Sequence, residues 1–143
     1  MTRAAEGTAV FAHSLRAEPL DVREALRAMA DCLSRTAPDD LLGRAELVLA
    51  EIMNNVGEHG QAGVGAPFIH LCIGCDAAGL IVGLCDTGTE LPLSCLAAND
   101  LPGVRSFPEG GFGWFLIRDL TESLRYFREG RRNYLSFTID AIS

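Results

Sequence analysis

Glu51, Asn55 and His59 recur at every fourth position of the segment LVLAEIMNNVGEHG, residues 47–60. At 3.6 residues per turn this spacing stacks three polar side chains on one face of a helix. Leu49, Ile52, Met53 and Val56 follow the i, i+3, i+4, i+7 pattern and give the same helix a separate apolar face to bury. The two stripes together restrict the fold: the helix must dock on a core and hold its polar row at the margin of that core. A carboxylate one turn from a carboxamide can hold a hard cation and take a proton from a nucleophile. By itself such a row more often marks a solvated helix face, which is also the plain reading of Asn54 and Glu58 on this helix.

Two later segments change the weight of that row. Residues 80–92, LIVGLCDTGTELP, form an apolar β-rich run ending in Asp86-Thr87-Gly88. The carboxylate is therefore expected at the end of a buried strand just before a turn, placed to accept a hydrogen bond from an amino group on a ligand. Residues 109–120, EGGFGWFLIRDL, carry three glycines into an apolar segment of about two helical turns. Gly-rich backbone entering a helix N-terminus is an anion site, because free N–H groups and the helix dipole point the same way. Taken singly, the first can be an ordinary turn and the second an ordinary loop.

In this order and spacing the three segments resemble the N box, the Asp-x-Gly box and the Gly-rich box of the GHKL ATPase superfamily. Within it the chain is most similar to stand-alone serine-protein kinases that act as anti-sigma factors, over roughly residues 8–140, including GGFGWFLIRDLTESLRYFREGRRNYLSFTI. The resemblance implies an ATP- and Mg2+-dependent kinase that binds ATP or ADP, with roles carried residue by residue. Glu51 matches the general base for a partner's serine hydroxyl, and Asn55 the magnesium ligand. Asp86 matches the residue that binds the adenine amino group, and Gly88 lets the backbone pass close to the base. Gly110, Gly111 and Gly113 match lid-hinge and phosphate-cradling positions, and His59 also falls on a family position. Arg105 is the only cation of the lid expected over 91–110, and could reach a γ-phosphate or a partner. By the same resemblance the partners are a sigma factor, a small anti-sigma-factor antagonist with a phosphorylatable serine, and a second copy of the chain in a homodimer.

Composition agrees. A chain of 143 residues makes one domain, with residues 1–7 expected to be a flexible N-terminus. A net charge of −7 argues against a general nucleic-acid surface. All twelve basic residues are Arg, and without Lys there is no Walker-type phosphate loop. Phosphates must then be met by backbone N–H groups, Arg or a metal. MTRAAEGTAVF lacks the apolar stretch of a signal peptide, and no run approaches the ~20 residues of a membrane span, so a cytoplasmic location is expected. Five cysteines, at 32, 72, 75, 85 and 95, fit reduced thiols, read as small buried apolar residues. Cys72 and Cys75 sit three apart in an expected strand, which points them to opposite faces and argues against zinc.

The periodicities predict a strand near 8–15, helices near 19–36 and 40–60, strands near 66–75 and 79–86, a helix near 112–120 and strands near 123–129 and 133–140. That is an α+β two-layer sandwich of the histidine-kinase-like ATPase type, with helices on one face of a mixed or antiparallel sheet. Two departures stand out. Glu90 occupies a position where many GHKL members have a second glycine, and it would weaken nucleotide binding if it faced the phosphates. Gly57 interrupts a helix at a cost of about 1 kcal/mol relative to Ala, which close packing would explain. A histidine-kinase catalytic subdomain and a nucleotide-binding regulatory module without phosphotransfer are the competing readings.

Overall fold

The structure, a computed structural model, describes residues 8–58, 65–91 and 112–141. The chain runs β1 (Ala9–Arg16), α1 (Pro19–Leu33), α2 (Asp39–Glu58), β2 (Phe68–Asp76), β3 (Gly79–Asp86), α3 (Phe112–Leu120), β4 (Glu122–Glu129) and β5 (Arg132–Asp140). The five strands form one sheet in the order β1-β2-β3-β5-β4, and every pairing is antiparallel. Of the mixed and antiparallel sheets left open by the sequence, the antiparallel one is therefore present.

Strand alternation separates the two faces. Ile69, Leu71, Ile73 and Cys75 of β2, Leu80, Val82 and Leu84 of β3, and Leu135, Phe137 and Ile139 of β5 turn inward and are buried. The helices cover them. Val22, Ala25, Met29 and Leu33 form the inner stripe of α1, and Leu49, Ile52, Met53 and Val56 lie fully within the core as their spacing requires. Pro19 opens α1, where its missing N–H costs nothing. That helix ends at Leu33 and not near 36, because Thr36 and Ala37 both donate to the Leu33 carbonyl and close the chain ahead of Pro38. Asp39 and Asp40 lie in the first turn of α2, at the positive end of its dipole. Arg44 of that helix donates to the Asp140 carbonyl at 2.9 Å and so ties α2 to the end of β5.

Two hairpins set the register. Between β2 and β3 the Ala78 N–H donates to the Asp76 carboxylate at 2.8 Å, and Gly79 has φ +137° where a Cβ would lie 2.2 Å from the Ile139 carbonyl oxygen. Between β4 and β5, Gly130 and Arg131 both have positive φ, 61° and 67°, the pairing of a type I′ turn, which matches the strand twist. The cysteines only partly follow their expected character: Cys75 is buried, but Cys32 and Cys72 are exposed and Cys85 is intermediate, because Cys72 and Cys85 fall on the outward side of the alternation. Cys95 lies outside the described residues, as do residues 1–7, His59, and all of the expected lid except Leu91.

The interior glycine of α2 has a packing cause. A Cβ at Gly57 would come 2.5 Å from the Ala17 carbonyl oxygen, so the helix end lies against the β1–α1 connection at a distance only glycine permits. At Gly43, by contrast, a Cβ would meet nothing within 4 Å. Gly57→Ala is expected to destabilise the fold by about 1–3 kcal/mol through overpacking. Gly43→Ala is expected to stabilise it by about 0.5–1 kcal/mol through helix propensity. Urea denaturation of the two variants beside the parent chain measures both.

Candidate functional site

The motif helix presents its polar row at the edge of the core. Asn55 is only 6% exposed, Glu51 is half-buried, and Asn54 and Glu58 are exposed. The Asn55 side-chain amide donates to the Glu51 carbonyl at 2.7 Å. A carbonyl can only accept, so the NH2 must face it, which leaves Oδ1 turned away with no partner among the described residues. A carboxamide oxygen held in this way, one turn from a carboxylate, suits a hard cation.

Asp86 ends β3 on the inner face and is fully buried. Its Oδ1 accepts from the Gly88 N–H at 2.7 Å and from the Asn133 amide at 2.8 Å. Its Oδ2 is buried with no hydrogen-bond partner among the described residues. Burial raises the Asp86 pKa above the ordinary carboxylate value, offset in part by the bonds from Asn133 and Gly88 and by the nearby Arg128 charge. A carboxylate with one oxygen fixed and the other unspent is a prepared acceptor for a ligand N–H donor. The close neighbours of Gly88 are protein: a Cβ there would lie 3.1 Å from Asp86 Oδ1 and 3.2 Å from Pro67 Cγ. Thr87 exchanges two bonds with Phe68, its N–H donating to the Phe68 carbonyl and its Oγ1 accepting from the Phe68 N–H, and these fix the exit of the loop.

Three residues that sequence reasoning missed hold this loop. Asn133 is fully buried, pairs with Asp86 across the β3–β5 ladder, and also donates to the Thr89 carbonyl at 2.8 Å. Its Oδ1 accepts from the Tyr126 hydroxyl at 2.6 Å and from Arg128 Nη1 at 2.9 Å. Arg128 donates as well to the Gly88 carbonyl at 2.9 Å, and the Leu91 N–H donates to the Tyr126 oxygen at 3.4 Å. The available signal was the alternation of β5, where Asn133 is the one polar member of the inward row Asn133, Leu135, Phe137, Ile139. Glu90 is exposed.

Gly113 falls in the first turn of α3, next to α2 in the helical layer, whereas Gly110, Gly111, His59 and Arg105 lie outside the described residues. A different guanidinium, Arg118 of α3, has its Nη1 buried without a partner among the described residues. No group of three or more His, Cys, Asp or Glu that could hold a metal occurs among the described residues, so a cation at Asn55 would depend on a ligand's own oxygens for most of its shell.

Comparison with known proteins agrees with this fold. The family model of the histidine kinase-like ATPase domain matches residues 15–139, from the end of β1 to the end of β5. The chain belongs to this family. It is thus a histidine kinase-like ATPase domain of the GHKL type. The domain also superposes on the histidine kinase domain of the Erythrobacter litoralis EL346 blue-light activated histidine kinase, with a TM-score of 0.52 and 19% identity. That match covers 85% of this chain and 59% of the other, and at such identity it shows a shared fold. A search of curated proteins finds no match. No helix among the described residues is long and apolar enough to cross a membrane.

Asn133→Ala would take from Asp86 Oδ1 one of its two donors and from the Thr89 carbonyl the Asn133 amide, and would remove the acceptor shared by Tyr126 and Arg128, leaving Arg128 the Gly88 carbonyl. A loss of about 3 kcal/mol is expected, read by denaturant unfolding. The raised pKa of Asp86 has a definite sign. Its contribution to stability is fully present below the unfolded value of 3.8 and is lost as pH rises through the higher folded value. Wild-type stability relative to Asp86→Asn should therefore fall as pH increases across that window, which unfolding curves at a series of pH values will show.

Proposed function

We propose that this domain is an ATP- and Mg2+-dependent protein serine kinase and anti-sigma factor, which sequesters a sigma factor and phosphorylates a small antagonist on serine. The observation that carries the nucleotide part is the unspent Asp86 Oδ2 at the end of β3, oriented by Gly88 and Asn133. An adenine 6-amino group supplies the donor that this oxygen lacks. The phosphoryl-transfer part is supported by the half-buried Glu51 carboxylate one turn from the Asn55 oxygen. Glu51 accepts the serine proton as the serine oxygen bonds to the γ-phosphorus and the bond from that phosphorus to the ADP oxygen breaks. Asn55 Oδ1 would hold magnesium, whose chemistry is to neutralise charge developing across the phosphates. Arg118, or Arg105 and the glycines at 110, 111 and 113, would meet the phosphates themselves.

The specific assignment to serine and to sigma-factor partners comes from the resemblance in the N, Asp-x-Gly and Gly-rich boxes. A phosphate on the antagonist adds about −1.5 to −2 charges, sufficient to undock it and leave the kinase free to hold its sigma factor. A second reading has support in the family and in the structural neighbour: a histidine-kinase catalytic subdomain that phosphorylates a histidine on another segment. The bond formed separates the two, since a phosphoserine survives acid and a phosphohistidine does not.

Calorimetry with ATP and ADP, with and without magnesium, provides the first test. Asn55→Ala should remove the magnesium dependence of binding. Glu51→Gln should leave nucleotide affinity within about threefold while reducing transfer by at least about 100-fold, the size of a general-base contribution. Transfer that survives Glu51→Gln would remove Glu51 from the mechanism, and an acid-labile product would favour the histidine-kinase reading.

A further inference from the structure

The two thiols that strand parity turns outward meet at one place on the sheet. Cys72 of β2 is exposed and Cys85 of β3 is half-buried, and both line a hollow of about 630 Å3 on the side that the helices leave uncovered. In the β2–β3 register Cys72 stands opposite Gly83, and Cys85 stands opposite His70. The two cysteines are therefore diagonal neighbours on the same face of adjacent strands. Such neighbours have Cα atoms about 7–8 Å apart, with Cβ atoms somewhat nearer. A disulfide does not fit that spacing, since it needs Cβ atoms about 3.5–4.5 Å apart. An ion between the sulfurs does fit, because two metal–thiolate bonds of about 2.3 Å each hold the sulfurs about 4.6 Å apart.

The surroundings select the ion. No group of three or more His, Cys, Asp or Glu that could hold a metal occurs among the described residues, and Nδ1 of the adjacent His70 is already engaged, 2.7 Å from Ser14 Oγ. A structural zinc, which takes four ligands, is not served by this pair, whereas Cu(I) is a soft ion that thiolates select and that is satisfied by two of them in line. One Cu(I) on two thiolates carries a net charge of −1. Arg125 of β4 lines the same hollow and supplies the opposite charge. Gly83 keeps the space between the thiols clear. A Cβ there would meet nothing within 4 Å, and its φ is not in the left-handed region, so no contact among the described residues requires a glycine. Glycine inside a strand weakens it, and commonly marks the place where a ligand or another backbone approaches. The remaining described thiols point elsewhere: Cys75 is buried on the inner face, and Cys32 of α1 lies with its sulfur 3.6 Å from the Val10 carbonyl.

We propose that Cys72 and Cys85 form a two-coordinate Cu(I) site on the outer face of the sheet, with Gly83 as its floor and Arg125 as its counter-charge. Each thiol gives up its proton as its sulfur bonds to the ion, so one Cu(I) binds with release of two protons to solvent and no change in oxidation state. The ion joins β2 to β3 one residue before Asp86, at the strand end that carries the buried carboxylate. The inference rests on the two strands alone and does not depend on the kinase reading.

Anaerobic titration of the reduced full chain with Cu(I), in competition with a chromophoric Cu(I) chelator, provides the test. One ion per chain is expected, with two sulfur neighbours in its X-ray absorption spectrum. Cys72→Ser and Cys85→Ser should each weaken binding at least about 100-fold, the upper end of the cost of losing even an outer-shell partner. Gly83→Val keeps every thiol and puts a side chain between the two, and should weaken binding at least about tenfold while circular dichroism shows the fold intact. Cys32→Ser and Cys95→Ser should leave the affinity unchanged. A chain that takes no Cu(I) from the chelator would overturn the proposal. So would binding that survives Cys72→Ser, Cys85→Ser or Gly83→Val, binding lost equally in Cys32→Ser or Cys95→Ser, or a spectrum with three sulfur neighbours.

Discussion

The buried Asp86 carboxylate constrains the structure around it more than any other group. Burying an ionisable group costs free energy unless its lone pairs are met, and among the described residues only one oxygen has partners. The chain meets that cost by converging β3, β5 and β4 on a single point: Asn133 bonds Asp86, Tyr126 and Arg128 bond Asn133, and Arg128 returns to the Gly88 carbonyl. Each partner is placed by strand register, so the antiparallel ladder and the type I′ turn at Gly130-Arg131 are part of the site. The result is a loop, Thr87 to Leu91, fixed by side chains from the far edge of the sheet. A site that lowers the stability of its own fold is expected where a ligand will supply the missing bond.

The second half of the site obeys a different physics. Glu51 and Asn55 belong to a helix whose position is fixed by its apolar stripe and, at its end, by the contact between Gly57 and Ala17. The back-bond from Asn55 to the Glu51 carbonyl consumes the amide hydrogen and frees the oxygen, so local helix geometry chooses which atom of the carboxamide is on offer. A core-packed helix and a register-locked strand end are two rigid supports, and a site built on rigid elements is held more accurately than one built on loops.

Much of this was legible in the sequence because the signals were periodic. The stripe of Leu49, Ile52, Met53 and Val56 fixed both the helix and its buried side, and the apolar run into Asp86-Thr87-Gly88 located the carboxylate at a strand end. The supporting network was harder to read. Asn133 betrays itself only as a polar residue in an inward row, and recognising that requires the register of β5 against β3, which no local pattern supplies. Tyr126 and Arg128 alternate into the inward side of an edge strand that carries a bulge between Glu122 and Arg125, and a shift of one residue there would have reversed their faces. The thiols were misread for the same reason: cysteine composition suggests burial, but strand parity decides it, and parity turns Cys72 outward.

The central claim is that Asp86 Oδ2 accepts a hydrogen bond from the amino group of a nucleobase. It is tested most directly by comparing ATP with inosine triphosphate, which replaces that amino group with a carbonyl oxygen and leaves the phosphates unchanged. Side-by-side calorimetric titration should show ATP bound about 100-fold more tightly, because an acceptor would then face an acceptor in a buried site. The gap should close in Asp86→Asn. Equal affinity of the wild-type chain for the two nucleotides would contradict the account.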